Sequence, residues 1–244
     1  PREERPGPAR ISREELYEDV SQASKVTPVY LAMVALSSVV AAVGLLRGDV
    51  PIIIGAMVIA PLLGPNVALS LASTLGDLDM ARRSMRAIAS GVATAAAVSI
   101  LVGVVFTVDP STPELAARTH AGLGDIVIAL AAGSAGSLAF TSGVPTIVVG
   151  VMVAVALLPP LVVAGLLMGA GQVEGAVGAL MLLVINVTCI NLASVATFLV
   201  QRVRPRTWWE ADRARKATGI AVATWVLTLA VLLFLIWLRN VRGV

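Results

Sequence analysis

A few polar side chains stand in a chain that otherwise reads as lipid-soluble. Asn66 closes IIIGAMVIAPLLGPN and Ser70 lies just past it, and Asn186 and Asn191 lie inside LLVINVTCINLASVATF. Carboxamides and hydroxyls can donate to a solute, accept from one, or coordinate a cation through oxygen; they can equally tie helices together. Pro61 and Pro65, with Gly64 between, sharpen the question at the first stretch. Each proline removes an amide donor and its ring collides with the preceding turn. In hydrocarbon, an unsatisfied backbone group costs on the order of several kcal/mol, so irregular backbone needs cover from protein or water. A plain kink is the bland alternative, but two prolines four apart and flanked by glycine favour an interruption. Ser73 and Thr74 extend the polar set. Asn186 and Asn191 are five apart, which turns them about 140° from each other on a helix. Interhelical hydrogen bonding is therefore the expected role of at least one.

Other chemistry is thin. No Asp, Glu, Lys or Arg falls near the middle of an apolar run, where a proton relay or charge-paired site would place one. That leaves cation coordination by carbonyls and hydroxyls, a neutral solute, or an anion held by helix ends. His120 has no second His or Cys at ligand spacing, so no metal is expected, and GSAGS at 133–137 has no partnered base for a hydrolase elbow. Nothing matches a phosphate loop, a haem site or a nucleotide motif. An enzyme, a cofactor and a nucleic-acid partner are not expected; the arginines at 202–216 suit anionic headgroups.

The elements that must position these groups are membrane helices. Apolar residues make up 57% of the chain and charged residues 14%, and the mean hydropathy is +0.90. No soluble domain of this length has that balance. The expected fold is an all-α polytopic membrane protein with about seven spans: Thr27–Leu46, Pro51–Leu75, Ala87–Thr107, Asp125–Phe140, Pro145–Met168, Ala176–Val200 and Thr218–Leu238. Residues 1–26 form a polar N-terminal segment in which Ser12 and Glu15 read as a capping box. They open an amphipathic helix to about Val26 with Leu16, Val20 and Ala23 on one face. A polar loop at 108–124 has Ser111 or Thr112 as a cap and Glu114 four before Arg118, a favourable ion-pair spacing. A basic loop at 201–217 carries Trp208 and Trp209, expected at the interface, and a Thr207–Glu210 capping box. Residues 218–244 hold the last span.

Orientation follows from the cations. With the N-terminus cytoplasmic, fourteen Lys and Arg fall inside and four, Arg47, Arg118, Arg239 and Arg242, fall outside. The polar residues 1–25 and the long first apolar run make a signal peptide unexpected. The chain opens on Pro1 rather than Met, so it is expected to be part of a longer protein.

The first proline stretch has a partner. IIIGAMVIAPLLGPNV at 52–67 aligns without gaps on IVVGVMVAVALLPPLV at 147–162, with eight of sixteen positions identical at an offset of 95. A Gly, a Met and a Pro fall in one register. Spans one to three then map onto spans four to six, and three crossings turn the second copy upside down. The expectation is a 3+3 inverted-topology repeat (27–107 and 125–200) plus one helix. Helices interrupted at corresponding positions of such repeats mark a secondary transporter's site. The candidates are Pro61, Gly64, Pro65, Asn66 and Ser70 against Pro159 and Pro160, with Asn186 and Asn191, and with spans two and five both broken. Leu161, Val162 and Val163 in the second copy make such a site asymmetric. Ser134, Ser137, Thr141, Ser142 and the pairs Gly165/Gly169 and Gly171/Gly175 are expected to close-pack helices, within a subunit or in a homo-oligomer.

GAMVIAPLLGPNVALSLASTLGD, PELAARTHAGLGDIVIALAAGSAG, VGVMVAVALLPPLVVAGLLMG and LLVINVTCINLASVATF together resemble a prokaryotic membrane family, Domain of Unknown Function 389. The resemblance covers about residues 27–200. It brings out Arg118, Thr119 and Asp125 in ARTHAGLGD as the family's Arg-Thr…Asp stretch, with His120 and Ala121 where the family varies. It implies a membrane architecture, a place in the prokaryotic inner membrane and, for some members, a soluble N-terminal domain. It supplies no substrate. The function expected is transport of a small solute or ion through the paired proline stretches; the alternatives are a passive channel or a scaffold or sensor in the lipid bilayer.

Overall fold

The computed structural model describes residues 12–142, 146–203 and 208–242, with side chains for all of these except 13, 146–155, 208–213 and 235–242. Every regular element among them is helical: α1 Arg13–Ala23, α2 Pro28–Arg47, α3 Val50–Ile59, α4 Leu63–Leu75, α5 Leu78–Val105, α6 Pro113–Ala116, α7 Leu123–Ser142, α8 Thr146–Gly169, α9 Val173–Val200 and α10 Trp208–Arg242. Five stretches, in α2, α5, α7, α9 and α10, are long and apolar enough to cross a membrane, and the bent pair α3 and α4 makes a sixth. The chain is a multi-pass membrane protein. Its outer surface agrees: Leu101, Val104 and Val105 on α5 and Ile220 and Leu227 on α10 are each about two-thirds exposed.

Local chemistry starts and stops the helices. Ser12 Oγ accepts the Glu15 amide at 3.1 Å to open α1. Thr27 Oγ1 accepts the Tyr30 amide at 3.0 Å, and Pro28 fills the first position of α2, where its missing N–H costs nothing. Asp77 Oδ1 accepts the amides of Asp79 and Met80 and opens α5 nine residues ahead of the expected Ala87. At 28 residues α5 is about 42 Å long. That exceeds the ~30 Å of hydrocarbon, so its first turns, with Arg82, Arg83 and Arg86, stand clear of it. Gly76 and Gly171 end α4 and α8 at φ 70° and 77°, a left-handed turn that glycine adopts without a Cβ penalty.

Two expectations are corrected here. Span two is broken as anticipated, but span five is not: α8 is one helix with Pro159 and Pro160 inside it. The basic segment after span six is not a separate loop and interfacial helix either. From Trp208 it is the first part of α10, continuous with the last span. The Thr207 cap lies outside the described residues.

The core is built on α8 and α9. From Ala156 to Leu167 α8 is buried throughout, and two-thirds of the apolar window of α9 is buried, against 11% for α10. α5 packs on α8, and α9 packs on α4; α2 lies against α3 and α5, and α7 against α8 and α9. Gly165 and Gly169 let α8 approach α5 so closely that an added Cβ would collide with Ser99 and with the Ile100 carbonyl. Their small-residue role is thus met within one chain, whereas Gly171 lies in the turn before α9. Ser137 and Thr141 are buried in α7, bonded to carbonyls one turn back.

Candidate functional site

The break between α3 and α4 follows from Pro61. It offers no amide to the Met57 carbonyl, and its ring drives the residue before it out of helical space. Ala60 is accordingly extended, at φ −69° and ψ 116°, and α3 stops at Ile59. The chain then turns through Leu62, and α4 leaves at 52° to α3. Pro65 falls in the first turn of α4, where helix amides have no intrahelical partner to lose. One proline thus breaks the span and the other sits in the new helix without damage.

In α8 the same chemistry has a different outcome. Pro160 withholds an amide from the Ala156 carbonyl, and Asn186 of α9 replaces it, its Nδ2 donating to that oxygen at 2.8 Å. The helix runs on because a neighbouring side chain supplies the missing donor. Asn186 is 4% exposed, and its Oδ1 is the one buried side-chain atom without a hydrogen-bond partner among the described residues.

Asn191 faces elsewhere. Its Nδ2 donates to Asn66 Oδ1 at 3.3 Å and to the Val187 carbonyl at 2.8 Å, while its Oδ1 accepts from Ser70 Oγ at 2.9 Å. Asn66 Nδ2 donates back to the Leu62 carbonyl at 2.9 Å, in the first turn of α4. Asn66, Ser70 and Asn191 therefore form one buried network pinning α4 to α9. Both asparagines of α9 bond across helices, on different faces, as their spacing requires.

A small cavity lies where the two proline stretches meet. Its volume is about 20 Å³, and it is lined by Tyr30, Leu62, Pro65, Asn66, Ile88, Val92, Leu157, Leu161, Leu183 and Val187. That is room for about one water molecule. Eight of the ten liners fall into four pairs separated by 95 residues: Leu62 with Leu157, Asn66 with Leu161, Ile88 with Leu183, and Val92 with Val187. The helix limits keep the same register, α2 and α7 starting at 28 and 123, and α5 and α9 at 78 and 173. Asn66 and Tyr30 are the polar side chains on the wall, and Tyr30 Oη donates to the Ala87 carbonyl at 2.9 Å.

Pro65 and Asn66 thus line the cavity beside the residues flanking Pro159 and Pro160; Ser70 and Asn191 join Asn66; Asn186 serves α8. Gly64 is occupied differently, pressed against Ala23 of α1, where an added Cβ would come within 2.7 Å of the Ala23 Cβ. The candidates of the 108–124 loop and the start of α7 lie apart and serve local structure. Glu114 pairs with Arg118 at 2.9 Å, Thr119 Oγ1 donates to the Ala116 carbonyl at 2.8 Å, and Asp125 Oδ2 accepts the Gly122 amide at 2.8 Å. Sequence reasoning missed Tyr30 and the wall pairs on α5 and α9. The 95-residue offset would have found the latter had it been carried past the proline stretches.

A titratable pair stands at the start of α5. Tyr17 of α1 donates to Asp77 Oδ2 at 2.6 Å. Partial burial opposes the Asp77 charge, but the Met80 amide, the Tyr17 hydroxyl, the Asp79 amide and the Arg83 charge outweigh it and hold the carboxyl below its usual range. The same hydrogen bond, with burial and the carboxylate charge, pushes the Tyr17 hydroxyl up.

A family model described as Domain of unknown function (DUF389) matches residues 57–192, which takes in the break, every cavity-lining residue except Tyr30, and Asn191. An uncharacterised protein of the archaeon Methanocaldococcus jannaschii is 40% identical over 234 residues, covering 96% of this chain and 73% of that one. No solved structure matches the chain.

Proposed function

The chain belongs to the family described as Domain of unknown function (DUF389), and since that description carries no activity, we propose from the site itself that the protein carries a small solute or ion across the membrane. The observation that carries this reading is the cavity at the proline stretches, walled by four residue pairs in one 95-residue register. Equivalent residues face each other across a point only if the two halves are related by a local axis there. We read α2–α5 and α7–α9 as a 3+3 inverted repeat, with α8 as a seventh span and α10 as the addition. In such folds the substrate site lies at the repeat interface, beside interrupted helices.

The wall suggests the cargo. Among the described residues that line it none is charged, and Asn66 and Tyr30 are the polar side chains. This suits a small neutral solute or a cation coordinated by carboxamide and carbonyl oxygens, with no catalytic step and no cofactor. At about 20 Å³ the cavity takes a water-sized occupant in this conformation. We place the protein in a prokaryotic cytoplasmic membrane, N-terminus inside, on the distribution of its cations, with the bilayer and a second copy of the chain as its partners.

One observation favours a scaffold or sensor instead: Asn66, Ser70 and Asn191 already satisfy one another. Thiol accessibility separates the two readings. In a Cys189→Ala background, single cysteines at Asn66 and Leu161 are probed with an impermeant reagent from each side of oriented membranes. A carrier admits water to both positions, and the accessible side changes with a transported solute. Protection from both sides, with loop cysteines reactive, sinks the transport reading and leaves the scaffold.

A further inference from the structure

α1 and α6 occupy corresponding places, each at the entrance to one of the two halves, yet they are built differently. α1 has three turns and is docked. Leu16 and Val20 are buried, Ala23 covers Gly64 at the break, and Tyr17 bonds to Asp77 at 2.6 Å. α6 is a single turn. Beside it lies an open cleft of about 390 Å³, lined in part by Thr119, His120, Leu167, Gln172 and Gly175. Ninety-five residues earlier in the chain stand Ser24, Lys25, Ala72, Asp77 and Met80. They make the corner where α1 meets α4 and α5, and Ser24, Ala72 and Met80 in it are buried. The two corners differ at Ser24 and Met80, which are buried where Thr119 and Gly175 are partly exposed, while Lys25 and His120 are exposed in both.

We propose that α1 is a movable lid on the pathway, and that the described conformation is one of two, with the α1 corner shut and the α6 corner open. This rests on the transport reading, because alternating access requires two halves to exchange such states around a fixed site. The lid is suited to release. Its buried large side chains are Leu16 and Val20, and its bond to the start of α5 is the Tyr17–Asp77 contact. Residues 25–27 join it to α2 without helix, and Thr27 caps α2 independently of α1. Its contact with Gly64 lies two residues from Leu62 and Asn66, so lifting α1 unloads the start of α4 where α4 walls the cavity.

The test uses the full chain in proteoliposomes, Cys189→Ala, with single cysteines at Val20 or at Thr119 and maleimide labelling rates as the readout. Gly64→Ala places a methyl 2.7 Å from the Ala23 Cβ and 3.0 Å from its carbonyl oxygen. Val20→Cys labelling is expected to rise roughly tenfold while Thr119→Cys labelling falls, since a coupled two-state element cannot have both corners open. Adding Ala23→Gly to Gly64→Ala should return both rates toward the parent. Tyr17→Phe, which adds no bulk, should raise Val20→Cys labelling in the same sense even if Gly64→Ala folds poorly. A rise at Val20 with Thr119 unmoved overturns the proposal and leaves a fraying surface helix; protection at Val20 in every variant overturns it in favour of a fixed one. Asn66→Cys separates the two claims. If it still reacts while the corners are uncoupled, the lid fails and the pathway stands; if it never reacts, the pathway fails.

Discussion

Asn186 is expected to be needed because of Pro160 and dispensable without it. The Ala156 carbonyl lies in the buried part of α8, its helical donor is missing, and the Asn186 amide 2.8 Å away is its partner. Replacing Asn186 by Leu strands that carbonyl, at about 1–3 kcal/mol for a buried unpaired group. Interhelical hydrogen bonds measured in membranes are weaker, about 0.6 kcal/mol on average and 1.7 at most. The substitution also removes Oδ1, which is buried without a partner, and that relief offsets part of the loss. We expect Asn186→Leu to destabilise by about 1–2 kcal/mol in the parent chain. Pro160→Ala restores a backbone amide to the Ala156 carbonyl, so in that background the same substitution should cost less than about 0.5 kcal/mol. The assay is a double-mutant cycle on reversible unfolding in lipid bicelles. A coupling of about 1 kcal/mol between the two sites supports the reasoning, whereas costs that add within about 0.3–0.5 kcal/mol refute it.

Gly165→Ala should prevent correct packing of α8 on α5, read as loss of the monodisperse species in mild detergent. Gly55→Ala, where an added Cβ meets nothing within 4 Å, should be silent. Docking of α1, followed by hydrogen exchange over 13–23, should respond to both ends of the pH scale. Asp77 is depressed in the folded state, so its contribution is present above the ordinary carboxylate range near 3.9 and lost as pH falls through its lowered value. Tyr17 is raised, so its contribution is present below about pH 10 and lost as pH climbs through its raised value. Asp77→Asn should flatten the acid limb, and an unchanged limb would remove Asp77 from the interaction.

Much of this protein is local and was therefore legible in the chain. Apolar run length set the membrane helices, because hydrocarbon leaves the backbone no other partner. Ser12 caps at short range, and Glu114 and Arg118 meet because helix geometry brings positions four apart together. The break at Pro61 belongs here too, since a proline acts on the residue before it. The 95-residue alignment of the proline stretches pointed to the place where the wall pairs meet.

Tertiary structure decided what those local rules leave open. Pro160 withholds an amide from α8 just as Pro61 does from α3, yet α8 stays whole. The difference is a carboxamide donated from α9, 30 positions from Ala156 in the chain. Whether Asn66, Ser70 and Asn191 face a solute or one another depends on how α4 crosses α9, and here they close on themselves. α1 shows an amphipathic face in its sequence, but only packing sets it on Gly64 at the break. A freed carbonyl or a buried amide has an outcome fixed by whichever group arrives opposite it, and that arrival is a property of the whole fold.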